Sequence, residues 1–162
     1  SNNLARPAGN VSEAPGQLIT IQARLLNKDC SPIRDARIEL WQRSPEGRYD
    51  YATDAELVSA PPVFTGAGTA YSRSDGAFEF ITLFPGTTKK RAPYVNMRIS
   101  HEDMKGVFQT RLYFAGDARN EDDRSFERLS ETRKSRLSMR MHGAQKATID
   151  IVLPKQVGRL SY

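Results

Sequence analysis

Cysteine and histidine are nearly missing from this chain of 162 residues: Cys30 stands alone, and His101 and His142 are the only two imidazoles. One cysteine excludes an internal disulfide and a cysteine metal cluster. Neither histidine sits in a nucleophile signature, so nothing points to a serine or cysteine hydrolase triad. No apolar run approaches membrane-spanning length, which argues against a membrane partner. No glycine-rich loop follows a strand as a phosphate site requires. No charged-then-apolar leader opens the chain, so a cytoplasmic location is the default expectation, although a start at Ser1 suggests that something upstream was processed away. The net charge is +5, from 24 Lys+Arg against 19 Asp+Glu, but the signs are mixed. The basic "RKSR" at 133–136 follows the acidic "NEDD" at 120–123, which reads as a solvated helix and its flank, not a nucleic-acid patch. On spacing alone, nothing here establishes an enzyme.

What the chain does have is alternation. In "QLITIQARLL" (17–26), Ile19, Ile21, Ala23 and Leu25 alternate with Thr20, Gln22 and Arg24, the pattern of a half-buried strand. "ARIELWQ" (36–42) repeats it. "AYSRSDGAFEFITLFPG" (70–86) predicts two short strands joined at Ser74-Asp75-Gly76. Further strands are predicted in "KRAPYVNMRIS" (90–100), "GVFQTRLYF" (106–114) and "ATIDIVL" (147–153). Only 121–141 has helical character, with Phe126, Leu129, Leu137 and Met141 on one weak stripe. Residues 1–16 read as an extended arm before a single domain over 17–162, and 51–69 as a long functional or interfacial loop. About seven closely spaced strands without alternating helices predict an all-β fold, an antiparallel β-sandwich. In Tyr94–Ser100, Val95, Met97 and Ile99 would enter the core and leave Tyr94, Asn96, Arg98 and Ser100 on a polar face.

Four phrases, in order, resemble the intradiol ring-cleavage dioxygenases, and most of all the subunits of protocatechuate 3,4-dioxygenases: 16–50 with "LWQRSPEGRYD", "SRSDGAFEFITLFPG" (72–86), "APYVNMRIS" (92–100) and "QTRLYFAGD" (109–117). Catalytic members of that family hold a non-haem ferric ion with two tyrosines and two histidines. Tyrosinate oxygens stabilise the ferric state, and the iron makes a bound catechol dianion reactive toward dioxygen. Position by position, Tyr49 in "GRY" stands at the first tyrosine, and Thr88, after Pro85-Gly86-Thr87, at the second. Tyr94 and Asn96 stand at the two histidines. The resemblance thus implies a chain without iron of its own, in which Thr88, Tyr94 and Asn96 fill the former pocket with mutual hydrogen bonds.

The family also pairs an iron-bearing subunit with a related one that lacks the ligands and completes the active site across an interface. Such alpha-type subunits often read "APHIN" where this chain has "APYVN", and Arg111 in "TRLYF" matches an arginine directed at the partner's substrate. A guanidinium there would pair with the carboxylate of an aromatic substrate; an ion pair at a sheet edge is the alternative. The resemblance therefore implies ferric iron in a catalytic partner, or a homo-oligomer. Tyr49, Arg91, Tyr94, Asn96 and Arg111 would face substrate or interface, with Trp41 and loop 51–69 buried against the partner. Family subunits open with a Thr-x-Gly-Pro segment, and "EAPG" at 13–16 is not its equivalent. Two other readings stay open: a stand-alone transthyretin-like or carboxypeptidase-regulatory-like module that binds or supports without catalysis, and a dioxygenase with an altered ligand set.

Overall fold

The computed structural model describes residues 1–5, 16–49 and 64–158. Within them the chain forms eight strands: β1 (Leu18–Leu26), β2 (Arg37–Gln42), β3 (Ala67–Tyr71), β4 (Ala77–Leu83), β5 (Tyr94–Ser100), β6 (Phe108–Phe114), β7 (Ser138–Met141) and β8 (Lys146–Val152). Their hydrogen-bonded order is β3-β2-β5-β6-β7-β8-β1-β4. The protein is mostly β, as the alternation predicts. It is not purely antiparallel: β8 runs parallel to β1 and β7 parallel to β6, so the first long strand is paired by the last. Residues 51–63 of the expected long loop lie outside the described residues, and its last positions, 67–69, belong to β3.

The segment 121–141 is not one helix. A 3-10 turn (Ala118–Asp122) is followed by two short helices, Arg124–Glu127 and Glu131–Arg136, and then by β7. The side chain of Asp123 accepts from the Ser125 and Phe126 amides, and that of Ser130 from the Arg133 amide. Each cap starts a new helix and breaks the apolar stripe before it can continue. Beyond Arg136, Met139 turns fully inward as a strand residue and β7 bridges the two halves of the sheet.

The core follows from period-two burial. Ile19, Ile21, Ala23 and Leu25 of β1 meet Phe78 and Phe80 of β4, while Ile38, Leu40, Val95, Met97 and Ile99 supply the β2 and β5 side. A buried polar pair, Gln42 and Thr82, lies beside them. The Gln42 side chain donates to the Leu83 carbonyl at 2.8 Å and accepts from the Thr82 hydroxyl at 2.7 Å, which ties β2 to β4 through fully satisfied bonds.

The two edge strands, β3 and β4, are joined by the first residues of the expected N-terminal arm. The Ser1 carbonyl accepts from Thr69 of β3, while Asn2 and Leu4 exchange bonds of 2.9 and 2.8 Å with Ile81 of β4. Leu4 is fully buried in the core, and the sheet is thereby closed into a near barrel. Gly68 permits this approach, because a Cβ there would come within 2.6 Å of the Leu4 side chain and 2.7 Å of the Ser1 carbonyl. Residues 6–15 lie outside the described residues. Among the described residues no helix is long and apolar enough to cross a membrane.

Gly68→Ala should loosen this seam. Amide exchange at Thr69 and Ile81 is expected to accelerate by about tenfold or more, with the β1–β8 ladder unaffected. Unchanged protection at both amides would mean that residues 1–4 do not close the sheet.

Candidate functional site

Strand β5 lies between β2 and β6, and its alternation decides the site. Val95, Met97 and Ile99 are fully buried inside, so Tyr94 and Asn96 must face the other way. That face is not open: Tyr94 is 5% and Asn96 9% exposed. Across the sheet, Asn96 is flanked by Trp41 of β2 and Arg111 of β6, and Tyr94 by Tyr113.

Tyr49 is brought over Tyr94 by the turn that follows β2. The Ser44 carbonyl accepts from Gly47 within the turn and from Gly86 of the Pro85-Gly86 segment, each at 2.9 Å. A side chain on Gly86 would collide with the Pro45 carbonyl, so the two segments cross at backbone contact. The hydroxyls of Tyr49 and Tyr94 then lie 3.1 Å apart. The Asn96 amide donates to the Tyr49 hydroxyl and to the Trp41 carbonyl, both at 3.3 Å.

Three guanidinium groups surround this phenol pair. Arg111 stacks 4.1 Å from the centre of the Tyr94 ring, Arg43 lies 4.9 Å from that of Tyr49 and 5.6 Å from that of Tyr94, and Arg91 is 5.6 Å from Tyr94. An Arg91 nitrogen also donates to the Tyr94 hydroxyl at 3.4 Å. Nη1 of Arg43 is buried and has no hydrogen-bond partner among the described residues. Burial pushes the Tyr49 phenol above its ordinary pKa, and its bond with Tyr94 adds to the rise. Burial raises Tyr113 too, against the pull of Arg111. For Arg111, burial opposes the charge, but the Tyr113 hydroxyl and the nearby phenols outweigh it and the net shift is upward.

The anchor of the site is Asp123, whose side chain is fully buried. One oxygen caps the Arg124–Glu127 helix. The other accepts from the Ala92 amide at 2.8 Å and lies 3.4 Å from Nε of Arg91, an ionic contact whose angle falls short of a hydrogen bond. Asp123 thus fixes the entry to β5 and holds Arg91 beside Tyr94.

Of the positions singled out in the sequence, the structure brings Tyr49, Arg91, Tyr94, Asn96 and Arg111 together. Thr88 stands apart: it is exposed, and its carbonyl accepts from the Arg91 amide, while the Thr87 hydroxyl reaches the Arg91 carbonyl at 2.8 Å. The pocket filling expected of Thr88 therefore falls to Tyr49, Arg43 and Arg111. His101 and His142 are engaged elsewhere, with the Arg34 carbonyl and the Thr148 hydroxyl. Among the described residues no group of three or more His, Cys, Asp or Glu gathers as a metal site. Sequence reasoning missed Arg43 and Asp123. Arg43 shares the parity of Trp41 and could have been placed on its face, whereas the "DDRSF" cap signal shows capping but not burial. Beside Arg111, a cleft of about 410 Å³ runs between Trp41, Asn96, Tyr113, Leu129 and Arg133.

A family model described as "Dioxygenase" matches residues 2–153. A Rickettsia bellii protein named "Putative dioxygenase" is 32% identical over 119 residues, covering 69% of this chain and 57% of its own length. The protocatechuate 3,4-dioxygenase beta chain of Burkholderia cepacia is 26% identical over 146 residues, covering 86% of this chain and 62% of that one. The chain thus spans about three fifths of the length of these relatives. Among solved structures, the dioxygenase domain of a carbohydrate-binding fusion protein from Streptomyces sp. SirexAA-E superposes with a TM-score of 0.73 at 24% identity, over 94% of this chain and 86% of that one.

Asp123→Ala strips a buried carboxylate from two helix amides, the Ala92 amide and Arg91, and should cost about 3–5 kcal/mol of stability by urea unfolding. Asp122→Ala, on the exposed side of the same turn, should stay within about 0.5 kcal/mol. Equal losses for the two would remove Asp123 as the anchor. With matched residues running almost from end to end, this chain belongs to the intradiol dioxygenase family.

Proposed function

We propose that this chain is the non-catalytic, alpha-type subunit of a protocatechuate 3,4-dioxygenase-like complex, and that the ferric iron is held by a related partner. The observation that carries this reading is the ring of three guanidinium groups around the paired phenols. At the four family ligand positions stand two phenols, an amide and an exposed threonine, and this donor set does not fit a ferric ion. Two like unit charges about 6 Å apart already cost about 3 kcal/mol at an effective dielectric constant of ~20, and a trivalent ion multiplies that cost. The upward shift of Tyr49 works in the same direction, because a tyrosinate ligand must first lose its proton.

The alpha-type assignment rests on these pocket residues, since one of the similar relatives is itself a beta chain. In the complex, the bond between the two hydroxyl-bearing carbons of a catechol would break and each carbon would take up one atom of dioxygen, giving a diacid, with the partner supplying the iron that makes the catechol reactive. Arg111, beside its cleft, would supply the cation for a ring carboxylate. Trp41, in the same cleft, would sit at the shared mouth.

The test is oxygen uptake by the chain alone and by the chain co-expressed with a related subunit carrying an intact His-x-His strand. Alone it should consume no oxygen; together they should cleave a carboxylated catechol. In that complex Arg111→Ala should raise KM for the carboxylated substrate about 10–100-fold, the loss expected of a charge-assisted pair, with little change for plain catechol. Uptake by the chain alone would overturn the proposal. A chain that never associates with such a subunit would instead be a stand-alone module.

A further inference from the structure

The sheet is incompletely zipped between β6 and β8. Strand β7 pairs with β6 only at Tyr113 and Phe114, and with β8 only at Ala147 and Thr148. Residues 108–112 of β6 and 149–152 of β8 therefore face one another across a wedge that no strand fills among the described residues. Its apex is β7, and the Glu131–Arg136 helix roofs it. The wedge is a cleft of about 570 Å³. Its floor is apolar: Leu112, Ile151 and Leu153 are buried, Phe108 and Leu137 half-buried, and Val152 is 47% exposed.

Its rim is cationic. Lys28, Arg133 and Arg136 line it and are exposed, and none is ion-paired among the described residues. The only acid in the lining, Asp150, is already engaged through both oxygens by Arg24 at 3.2 Å. The cleft is of small-molecule size, mostly apolar, with charge of one sign at its mouth. The unbalanced positive charge separates this cleft from an ordinary solvated groove and specifies the head group of its occupant.

We propose that this wedge binds an apolar carboxylate, its hydrocarbon part laid on Phe108, Leu137 and Val152 and its carboxylate among Lys28, Arg133 and Arg136. The site uses neither the phenol pair nor Arg111, and it stands whether or not the chain pairs with an iron-bearing subunit. Octanoate is the probe, with octanol as its uncharged counterpart, in calorimetric titrations of the whole chain.

Octanoate should bind at least about tenfold tighter than octanol. The double variant Lys28→Glu/Arg136→Glu should weaken octanoate by about tenfold or more and leave octanol unchanged, with an unaltered circular dichroism spectrum showing that it folds. Should that variant not fold, high salt must weaken octanoate in the native chain and spare octanol. Equal affinity for the two probes, insensitivity to both charge reversal and salt, or no binding at millimolar octanoate would each overturn the proposal. So would a dimer by light scattering that the double variant dissociates, since the wedge would then be an interface between two copies.

Discussion

A single buried carboxylate sets the geometry on which the candidate site depends. Asp123 has no access to water, so its charge must be met by protein, and it is met from two directions: by the amides that begin the next helix, and by Ala92 and Arg91 at the entry to β5. A helix cap and a strand entry thereby share one anion. Asp123 thus links the Arg124–Glu127 helix to Arg91, and Arg91 reaches on to the Tyr94 hydroxyl at 3.4 Å. Phe126, on the same helix, packs 4.9 Å from the Tyr113 ring, so an apolar contact reinforces what the charge begins.

From that anchor the character of the pocket follows from charge and not from shape. A ferric ion is a hard acid, so the groups around it must supply negative charge and anionic oxygen donors. Here the corresponding volume holds two phenols bonded to each other and to an amide, with guanidinium groups stacked on their rings. Cation–π stacking fixes each guanidinium side chain to the ring it covers. Positive charge is concentrated on both faces of the phenol pair, which on the proposed reading disfavours a bound cation there.

Most of the fold could be read from the chain because half-buried strands announce themselves at period two, and β1, β2, β4, β5 and β6 all do. The segment 121–141 misled for a physical reason: Asp123 and Ser130 interrupt one apolar stripe with caps, and four residues are enough for β7. Parallel pairing of β1 with β8 was not legible, because alternation fixes which face is buried but not which neighbour a strand takes. At the site, Tyr94 and Asn96 were legible as one face of one strand. That this face is covered was not, since Tyr49, Arg43 and Asp123 arrive from distant positions. Gln42 reads as a polar strand end, and only the structure shows it inside, bonded to Thr82 and Leu83.

The central claim is that cations and bonded phenols have replaced a metal in this chain, and it is tested most directly by iron content per chain on freshly purified, untagged protein, with a visible spectrum of the same sample. The account predicts iron far below one per chain and no broad charge-transfer band of a tyrosinate-bound ferric ion. Iron close to one per chain, together with that band, would contradict it: the phenols would then be ligands, and the three arginines would have to be arranged otherwise around them.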